Sequence, residues 1–131
     1  MVSSEQAHIR HGIGAVRPYL YGHLDLPEML KQAFGAVELE RVQLGKGFHV
    51  EVQIGDSVVV LEVCDPPHPS GRSASVYLYV PDVDDAYRRA LDAGATSVAA
   101  PHDKPYQERG ADLKDRFGNI WYLATYRAKP K

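Results

Sequence analysis

The sequence predicts an α+β domain built from two tandem βαβββ modules. Two amphipathic helices, residues 25–35 and 82–94, repeat one pattern. Each begins with an aspartate that can accept backbone N–H groups and ends with a glycine suited to a left-handed C-cap. Each helix also leads into a similar series of apolar, β-branched runs separated by turn residues. So long an internal period indicates paired supersecondary units that share one core.

The predicted strands follow in a regular order. They cover residues 15–21, 37–44, 48–54, 58–63, 74–80, 97–100, 107–113 and 120–126. Gly45 with Gly47, Gly55 with Asp56, and Gly118 with Asn119 stand where sequential antiparallel strands should reverse. Three prolines preclude regular structure just after residue 65. We therefore expect the first module at residues 13–65, a linker at residues 66–73 and the second module at residues 74–127.

Composition limits the classes of partner. The chain has 131 residues, a formal net charge of -2 and 44% hydrophobic residues, with no large basic block. Neither nucleic acid nor a membrane is therefore an expected partner, and a small molecule fits better. Cys64 is the single cysteine, and residues 1–12 contain no apolar stretch of signal-peptide length. We expect a cytoplasmic protein of one domain.

The segment DRFGNIWYLAT at residues 115–125 is the most specific motif. It resembles the closing hairpin of the vicinal oxygen chelate superfamily, which includes glyoxalases, bleomycin-resistance proteins and extradiol dioxygenases, although Arg116 replaces the usual proline. Shorter similarities lie at residues 18–20, 33–36 and 54–57, and the resemblance spans about residues 16–127. It implies that the modules curl into a cup-shaped mixed β-sheet with the helices outside. The same fold supports unrelated chemistries, so the activity depends on the site.

The resemblance also implies where a divalent metal would bind. The family's metalloenzymes hold it with one His, Gln or Glu from each of four strands, and strand alignment places these positions on or near Arg17, Glu62, Ser75 and Tyr122. Only Glu62 is an ordinary ligand, whereas such a site needs about three or four. Arg17 would add a positive charge that opposes a cation. We expect no metal and no other cofactor, unless the alignment is shifted and histidines at positions 23, 49 and 102 contribute.

Alternation along the strands predicts what faces the cup. If Glu62 points inward, so do Val58, Val60 and Cys64. The predicted ligand-binding residues are Arg17, Tyr19, Tyr21, Val60, Glu62, Ser75, Tyr77, Tyr79 and Tyr122, beside Ile120 and Ala124. Five of the eight tyrosines share this surface, which suits a planar ligand with polar edges; alternatively, the rings fill the cup. The opposite faces should pack on helix residues that include Phe34, Tyr87 and Leu91.

Glu62 is the best candidate for a catalytic residue, because a desolvated carboxylate can act as a general base. It can instead accept a hydrogen bond from a ligand, or form a structural ion pair with Arg17. Near the cup, Tyr106, Glu108 and Arg109 are either rim contacts or a solvated strand edge.

The function that follows is metal-independent binding of a small, aromatic organic molecule, such as an antibiotic or metabolite, which the protein sequesters. We also expect a homodimer, the commonest soluble assembly. The alternative is an enzyme of the same superfamily: a metal-dependent lyase, isomerase or dioxygenase, or a metal-free catalyst that uses Glu62 and a tyrosine. A third possibility is a noncatalytic interaction module with a filled cup.

Overall fold

The computed structural model describes residues 4–127. Two short 3-10 turns, Ser4–Gln6 and Arg10–Gly12, come first. The first module then comprises β1 (Tyr19–Gly22), α1 (Leu26–Phe34), β2 (Val37–Leu44), β3 (Gly47–Ile54) and β4 (Ser57–Val63). The second comprises β5 (Ser75–Tyr79), α2 (Val83–Asp92), β6 (Thr96–Lys104), β7 (Glu108–Lys114) and β8 (Ile120–Tyr126). None of the helices within residues 4–127 combines the length and apolar character that a bilayer crossing would need.

Each module forms its own four-stranded mixed sheet. Sheet 1 has the order β1-β4-β3-β2, and sheet 2 has the equivalent order β5-β8-β7-β6. The first strand of each module pairs in parallel with the last, and the other pairs are antiparallel. The predicted α+β class with two tandem βαβββ modules is confirmed. Within the described residues, no strand pairing joins the two sheets, so the curled surface is not a closed barrel.

One core unites the two modules. It contains residues from both helices and from the helix-facing side of both sheets. The ring of Phe34 on α1 lies 5.3 Å from that of Trp121 on β8, so a helix of the first module packs on a strand of the second. Apolar burial is the main stabilising force here. Leu91 was expected in this core, but it is 36% exposed because it lies on the outer side of α2.

The helix ends follow the sequence prediction except at one cap. Asp82 accepts a hydrogen bond from Asp85 N at 3.1 Å, which caps α2 as expected. Gly35 ends α1 with φ 69°, a conformation that favours glycine. Asp25 makes no cap bond through its side chain. Its carboxylate instead accepts from Arg116 at 2.7 Å, so Arg116, the departure from the family motif, links the closing turn to α1.

The prediction that the first strand starts at residue 15 is wrong, because β1 begins at Tyr19. Gly14 has φ 78°, outside the extended range of a strand. A Cβ on Gly14 would lie 3.3 Å from Cβ of Val58, so this segment packs on β4 instead of pairing with it. Residues 10–17 therefore pass over sheet 1 before the chain enters it.

The turn before β8 explains the DRFGN motif. Asp115, only 7% exposed, accepts hydrogen bonds at Oδ1 from the backbone N–H groups of residues 117, 118 and 119. Its Oδ2 accepts from Asn119 Nδ2 at 2.9 Å and from Trp121 Nε1 at 3.1 Å. The carboxylate thus fixes a turn that would otherwise leave several donors unsatisfied.

Candidate functional site

Strand register defines an inner face on each sheet, which is the face away from the helices. In sheet 1, Tyr19 is paired with Val60 and Tyr21 with Glu62, so these four side chains share the inner face. In sheet 2, the inner face carries Ser75, Tyr77, Tyr79, Ile120, Tyr122 and Ala124. The alternation of side chains along each strand therefore predicted correctly that these residues lie on the inner faces. Their role as ligand contacts stays a prediction.

Glu62 lies at the centre of a polar group on the inner face of sheet 1. Its Oε1 accepts from the Tyr19 hydroxyl at 2.8 Å and from His49 Nδ1 at 2.5 Å. His49 Nε2 lies 3.1 Å from Glu51 Oε2, so the protonated form of the ring can donate to both carboxylates. The hydrogen bond to Glu62 raises the pKa of His49. Burial, together with Glu62, raises the pKa of Tyr19 to about 12, which disfavours it as a proton donor at neutral pH.

Arg17 lies just before β1 and not within the strand to which the sequence alignment assigned it. Its Nε donates to Gly14 O at 2.8 Å, and its Nη2 donates to Ile13 O at 3.0 Å and to Arg10 O. The ion-pair partner of Arg17 is Glu51, at 3.2 Å, so the alternative in which Arg17 pairs with Glu62 does not hold. The reason is that Arg17 precedes β1 and turns back toward the segment that covers sheet 1. Its donors are therefore engaged by Glu51 and by backbone carbonyl groups, and its role as a ligand contact stays a prediction.

One group of side chains within residues 4–127 is close enough to hold a cation. The ligand atoms of His11, Glu40 and Glu51 lie within 4.8 Å of one another. Arg10 also bridges to Glu40, with Nε 2.6 Å from Oε1, and Arg17 pairs with Glu51. These guanidinium charges occupy the carboxylates and oppose a metal ion. At the four positions that the resemblance implied, Glu62 alone offers a conventional ligand, so that set does not fit a metal either.

The histidines that a shifted alignment would have recruited do not meet. His23 Nδ1 lies 2.6 Å from Asp65 Oδ1, and His102 Nδ1 donates to Ala100 O at 2.9 Å. His49 bonds Glu51 and Glu62. Each is thus engaged with a different part of the fold.

Glu108 organises the tyrosines on the inner face of sheet 2. Its two carboxylate oxygens accept from the hydroxyls of Tyr77 and Tyr79, the latter at 2.5 Å. These hydrogen bonds lower the pKa of Glu108, and they raise the pKa of both tyrosines. Glu108 is only 9% exposed, so it is neither a rim side chain nor a solvated edge. The Tyr77 and Tyr122 rings stack with centroids 6.4 Å apart.

The five predicted tyrosines form two groups. Tyr19 and Tyr21 lie 5.7 Å apart, and Tyr21 also contacts His68 and Phe117. The second group is Tyr77, Tyr79 and Tyr122. Tyr19, Tyr77 and Tyr79 are 51%, 46% and 59% exposed, so these rings line the surface and do not fill it. Large aromatic faces beside carboxylates suit a planar organic ligand.

A groove of about 400 Å³ borders the first tyrosine group. It is lined by Leu44, Lys46, Gly47, Phe48, Glu62, Val63, Cys64 and His68. Its volume lies within the range of small-molecule sites, which is roughly 300–1,000 Å³. His68, which contacts Tyr21, comes from the Pro-rich segment between the modules, so this segment forms one wall of the groove.

His49, Glu51, Glu108 and Lys104 were not assigned to the inner faces from the sequence. His49 and Glu51 alternate with the buried Val50 and Val52 along β3, so alternation could have identified them. Lys104 could not be assigned in this way, because β6 was predicted to end at residue 100 and contains register shifts.

The chain is similar in sequence to known proteins. A family model described as the Glyoxalase/Bleomycin resistance protein/Dioxygenase superfamily matches residues 28–123. The chain is 34% identical over 126 residues to an uncharacterized protein of Mycobacterium bovis, with 82% of this chain and 83% of that protein covered. An uncharacterized protein of Mycobacterium tuberculosis is also 34% identical, with 82% and 74% covered.

Solved structures share the fold. TioX from Micromonospora sp. ML1 is similar with a TM-score of 0.67 and 22% identity, covering 86% of this chain and 99% of TioX. A glyoxalase/bleomycin resistance protein/dioxygenase family enzyme from Burkholderia phytofirmans PsJN has a TM-score of 0.64 and 20% identity, covering 84% and 94%. Structural similarity at such low sequence identity shows a common fold only. The chemistry has to be argued from the site.

Proposed function

Because the chain belongs to the glyoxalase/bleomycin resistance protein/dioxygenase superfamily, we propose that it binds a small, planar aromatic molecule without a metal ion. The observation that carries this proposal is the pairing of exposed tyrosine rings with hydrogen-bonded carboxylates on both inner faces. The rings provide stacking area, and Glu62 and Glu108 accept hydrogen bonds from the polar edge of the ligand. Arg17, whose guanidinium pairs with Glu51 on the inner face of sheet 1, is a further proposed contact for the polar edge of the ligand.

The biological effect we propose is sequestration. A protein that holds such a molecule lowers its free concentration by mass action, without changing it chemically. Antibiotics and secondary metabolites with planar ring systems are the proposed ligand class. Val60 and Ser75, on the same inner faces as the tyrosines, complete the proposed contacts.

The test is a thermal-shift screen of planar aromatic compounds against the purified chain. A binding compound raises the melting temperature, and Tyr77→Leu reduces that shift relative to the ligand-free form of the same variant. Tyr87→Leu is the matched control, because Tyr87 lies on α2 and its hydroxyl bonds Ser97 Oγ. A panel that produces no shift, or shifts that survive loss of Tyr77, Tyr19 and Tyr122 in turn, would refute the tyrosine site.

The metal-dependent enzyme is the second candidate, and the His11–Glu40–Glu51 group is the observation that favours it. Incubation with zinc, nickel, manganese and ferrous iron, followed by desalting and elemental analysis, separates the two candidates. Our proposal predicts no retained metal. Near-stoichiometric metal that is lost in Glu51→Gln would replace it with the enzyme.

We also propose a homodimer. The edge strand β2 carries exposed apolar side chains, with Val37 and Leu44 59% and 55% exposed, which an association would bury. Light scattering coupled to size exclusion measures the mass directly. A monomeric mass at all concentrations would reject this proposal.

A further inference from the structure

Lys104 places an ammonium group on the inner face of sheet 2. Its Nζ lies 5.4 Å from the centroid of the Tyr77 ring and 5.5 Å from that of Tyr106. Lys104 is also the cross-strand partner of Glu108, the carboxylate that accepts from Tyr77 and Tyr79. Both distances are typical of cation–π contacts. This part of the surface therefore already holds one organic cation, which is supplied by the chain itself.

Gly110 makes room for that cation. A Cβ at this position would lie 2.4 Å from Cε of Lys104 and 2.9 Å from its Nζ. The end of the lysine side chain thus rests against bare backbone in a space that any other residue would fill. The space has the dimensions of an alkylammonium group, and rings and a carboxylate surround it.

The charges around this space favour a cation over an anion. Glu108 is buried, and the Tyr77 and Tyr79 hydroxyls lower its pKa, so it is ionised at neutral pH. Asp112 lies on the same inner face, as the cross-strand partner of Tyr122. Its Oδ1 is the one buried side-chain oxygen or nitrogen without a hydrogen-bond partner in residues 4–127. The charge of Lys104 also lowers the pKa of Glu108, so these two groups lie close enough to interact, and Asp112 adds a second acceptor on this face that still lacks a donor.

We propose that the inner face of sheet 2 is a subsite for an alkylammonium group carried by the planar ligand, and that Lys104 occupies it when no ligand is bound. The inference rests on the proposed function, which supplies the aromatic body, and it adds the charge of the ligand. The ligand amine displaces Lys104 Nζ, lies over the Tyr77 ring and pairs with Glu108. The ligand class is therefore a planar aromatic monocation with a primary or secondary amine one or two carbons from the ring.

The experiment compares three probes that share one ring system and differ in charge: 1-naphthylmethylamine, 1-naphthalenemethanol and 1-naphthoic acid. Each is titrated into the isotope-labelled chain at neutral pH, and amide chemical shifts give both Kd and location. A cation–π contact implies that the amine binds about 3- to 30-fold more tightly than the alcohol. The acid should bind most weakly, and the largest shifts should fall near Tyr77 and Gly110.

Two variants test the mechanism. Lys104→Ala removes the resident cation and should tighten amine binding at least about threefold, since displacement no longer opposes it. Glu108→Gln should remove the preference of the amine over the alcohol. Lys31→Ala is the control for net charge, because Lys31 is an exposed residue of α1 whose partner is Glu28 at 3.9 Å. The measurement on Lys104→Ala does not require a folded Glu108→Gln variant. The inference therefore stays testable if Glu108→Gln folds poorly.

The outcomes distinguish this inference from the proposed function. Equal binding of all three probes at the tyrosines would overturn the cation subsite and leave aromatic binding in place. The cation subsite would also be overturned if the acid bound most tightly and Lys104→Ala weakened that binding. Lys104 would then be a contact for an anion. If no probe binds at millimolar concentration, both the subsite and the aromatic site fail.

Discussion

The side-chain amide of Asn119 donates a hydrogen bond to the backbone carbonyl oxygen of Tyr21 across 2.8 Å. Asn119 Oδ1 accepts from Ala74 N, also at 2.8 Å. A single buried amide thus joins β1 of the first module to the strand entry of the second. Because the two sheets share no strand pairing in the described residues, this contact orients one inner face relative to the other.

Replacing Asn119 with leucine should destabilise the fold. The substitution leaves Tyr21 O and Ala74 N without their side-chain partner and removes one of the two side-chain donors to Asp115 Oδ2. Each unsatisfied buried group costs about 1–3 kcal/mol. We expect the free energy of unfolding, measured by urea denaturation, to fall by about 3 kcal/mol or more. Gln43→Leu is the control, because its amide is exposed on β2. Similar losses for the two variants would contradict a joining role for Asn119.

Asp115 should contribute as much to the stability of the fold as Asn119 does. Alanine at this position removes the acceptor for five N–H donors in the turn before β8. The expected loss is about 3–5 kcal/mol in the free energy of unfolding, again from urea denaturation. Asp56→Ala removes a carboxylate from an exposed turn and should cost much less. The idea fails if the Asp115 variant unfolds at the same urea concentration as wild type.

Prediction from sequence succeeded where a local pattern decides the structure. Alternation assigned Tyr77 and Tyr79 to the inner face of β5, and helix periodicity placed Phe34 and Tyr87 against the core, because burial of one face specifies strand register and helix phase. It did not predict the hydrogen-bond partners of Arg17, because contacts with a preceding segment determine them. Glu51 gains Arg17 and His11 as partners from that segment, which carries no periodic signal. The periodic pattern of a sequence therefore predicts strands and helices, but it does not predict the tertiary contacts of irregular segments.

Lowering the pH should increase the contribution of His49 to the free energy of unfolding. The Glu62 and Glu51 carboxylates raise its pKa above the ordinary 6.5. A raised folded-state pKa gives stability that is complete below the unfolded value and is lost as pH rises through the folded value. The stability difference between wild type and His49→Gln should therefore be larger at about pH 5.5 than at about pH 9. His102→Gln, an exposed histidine, provides the control; a difference independent of pH would reject the charged pairing.

The Tyr19 phenol should ionise late in alkali. Burial, and then the Glu62 carboxylate, raise its pKa to about 12. The ultraviolet difference titration between wild type and Tyr19→Phe isolates this group. Glu62→Gln should lower the Tyr19 pKa toward its ordinary 10.0 but not fully, since burial remains. Glu28→Gln, on the exposed side of α1, should leave it unchanged, and an equal effect of both variants would contradict the contact.

The segment that covers sheet 1 lies outside the repeated unit. Residues 10–17 bring Arg10, His11 and Arg17 onto the glutamates of sheet 1, whereas β5 of the second module follows the Pro-rich segment, whose His68 contacts Tyr21. Two modules with the same strand order thus present different surfaces, because segments outside the repeated strands and helices cover them differently. The charge at the entrance to each inner face is therefore determined by the segment that precedes the module's first strand, and the strand order itself is the same in both modules.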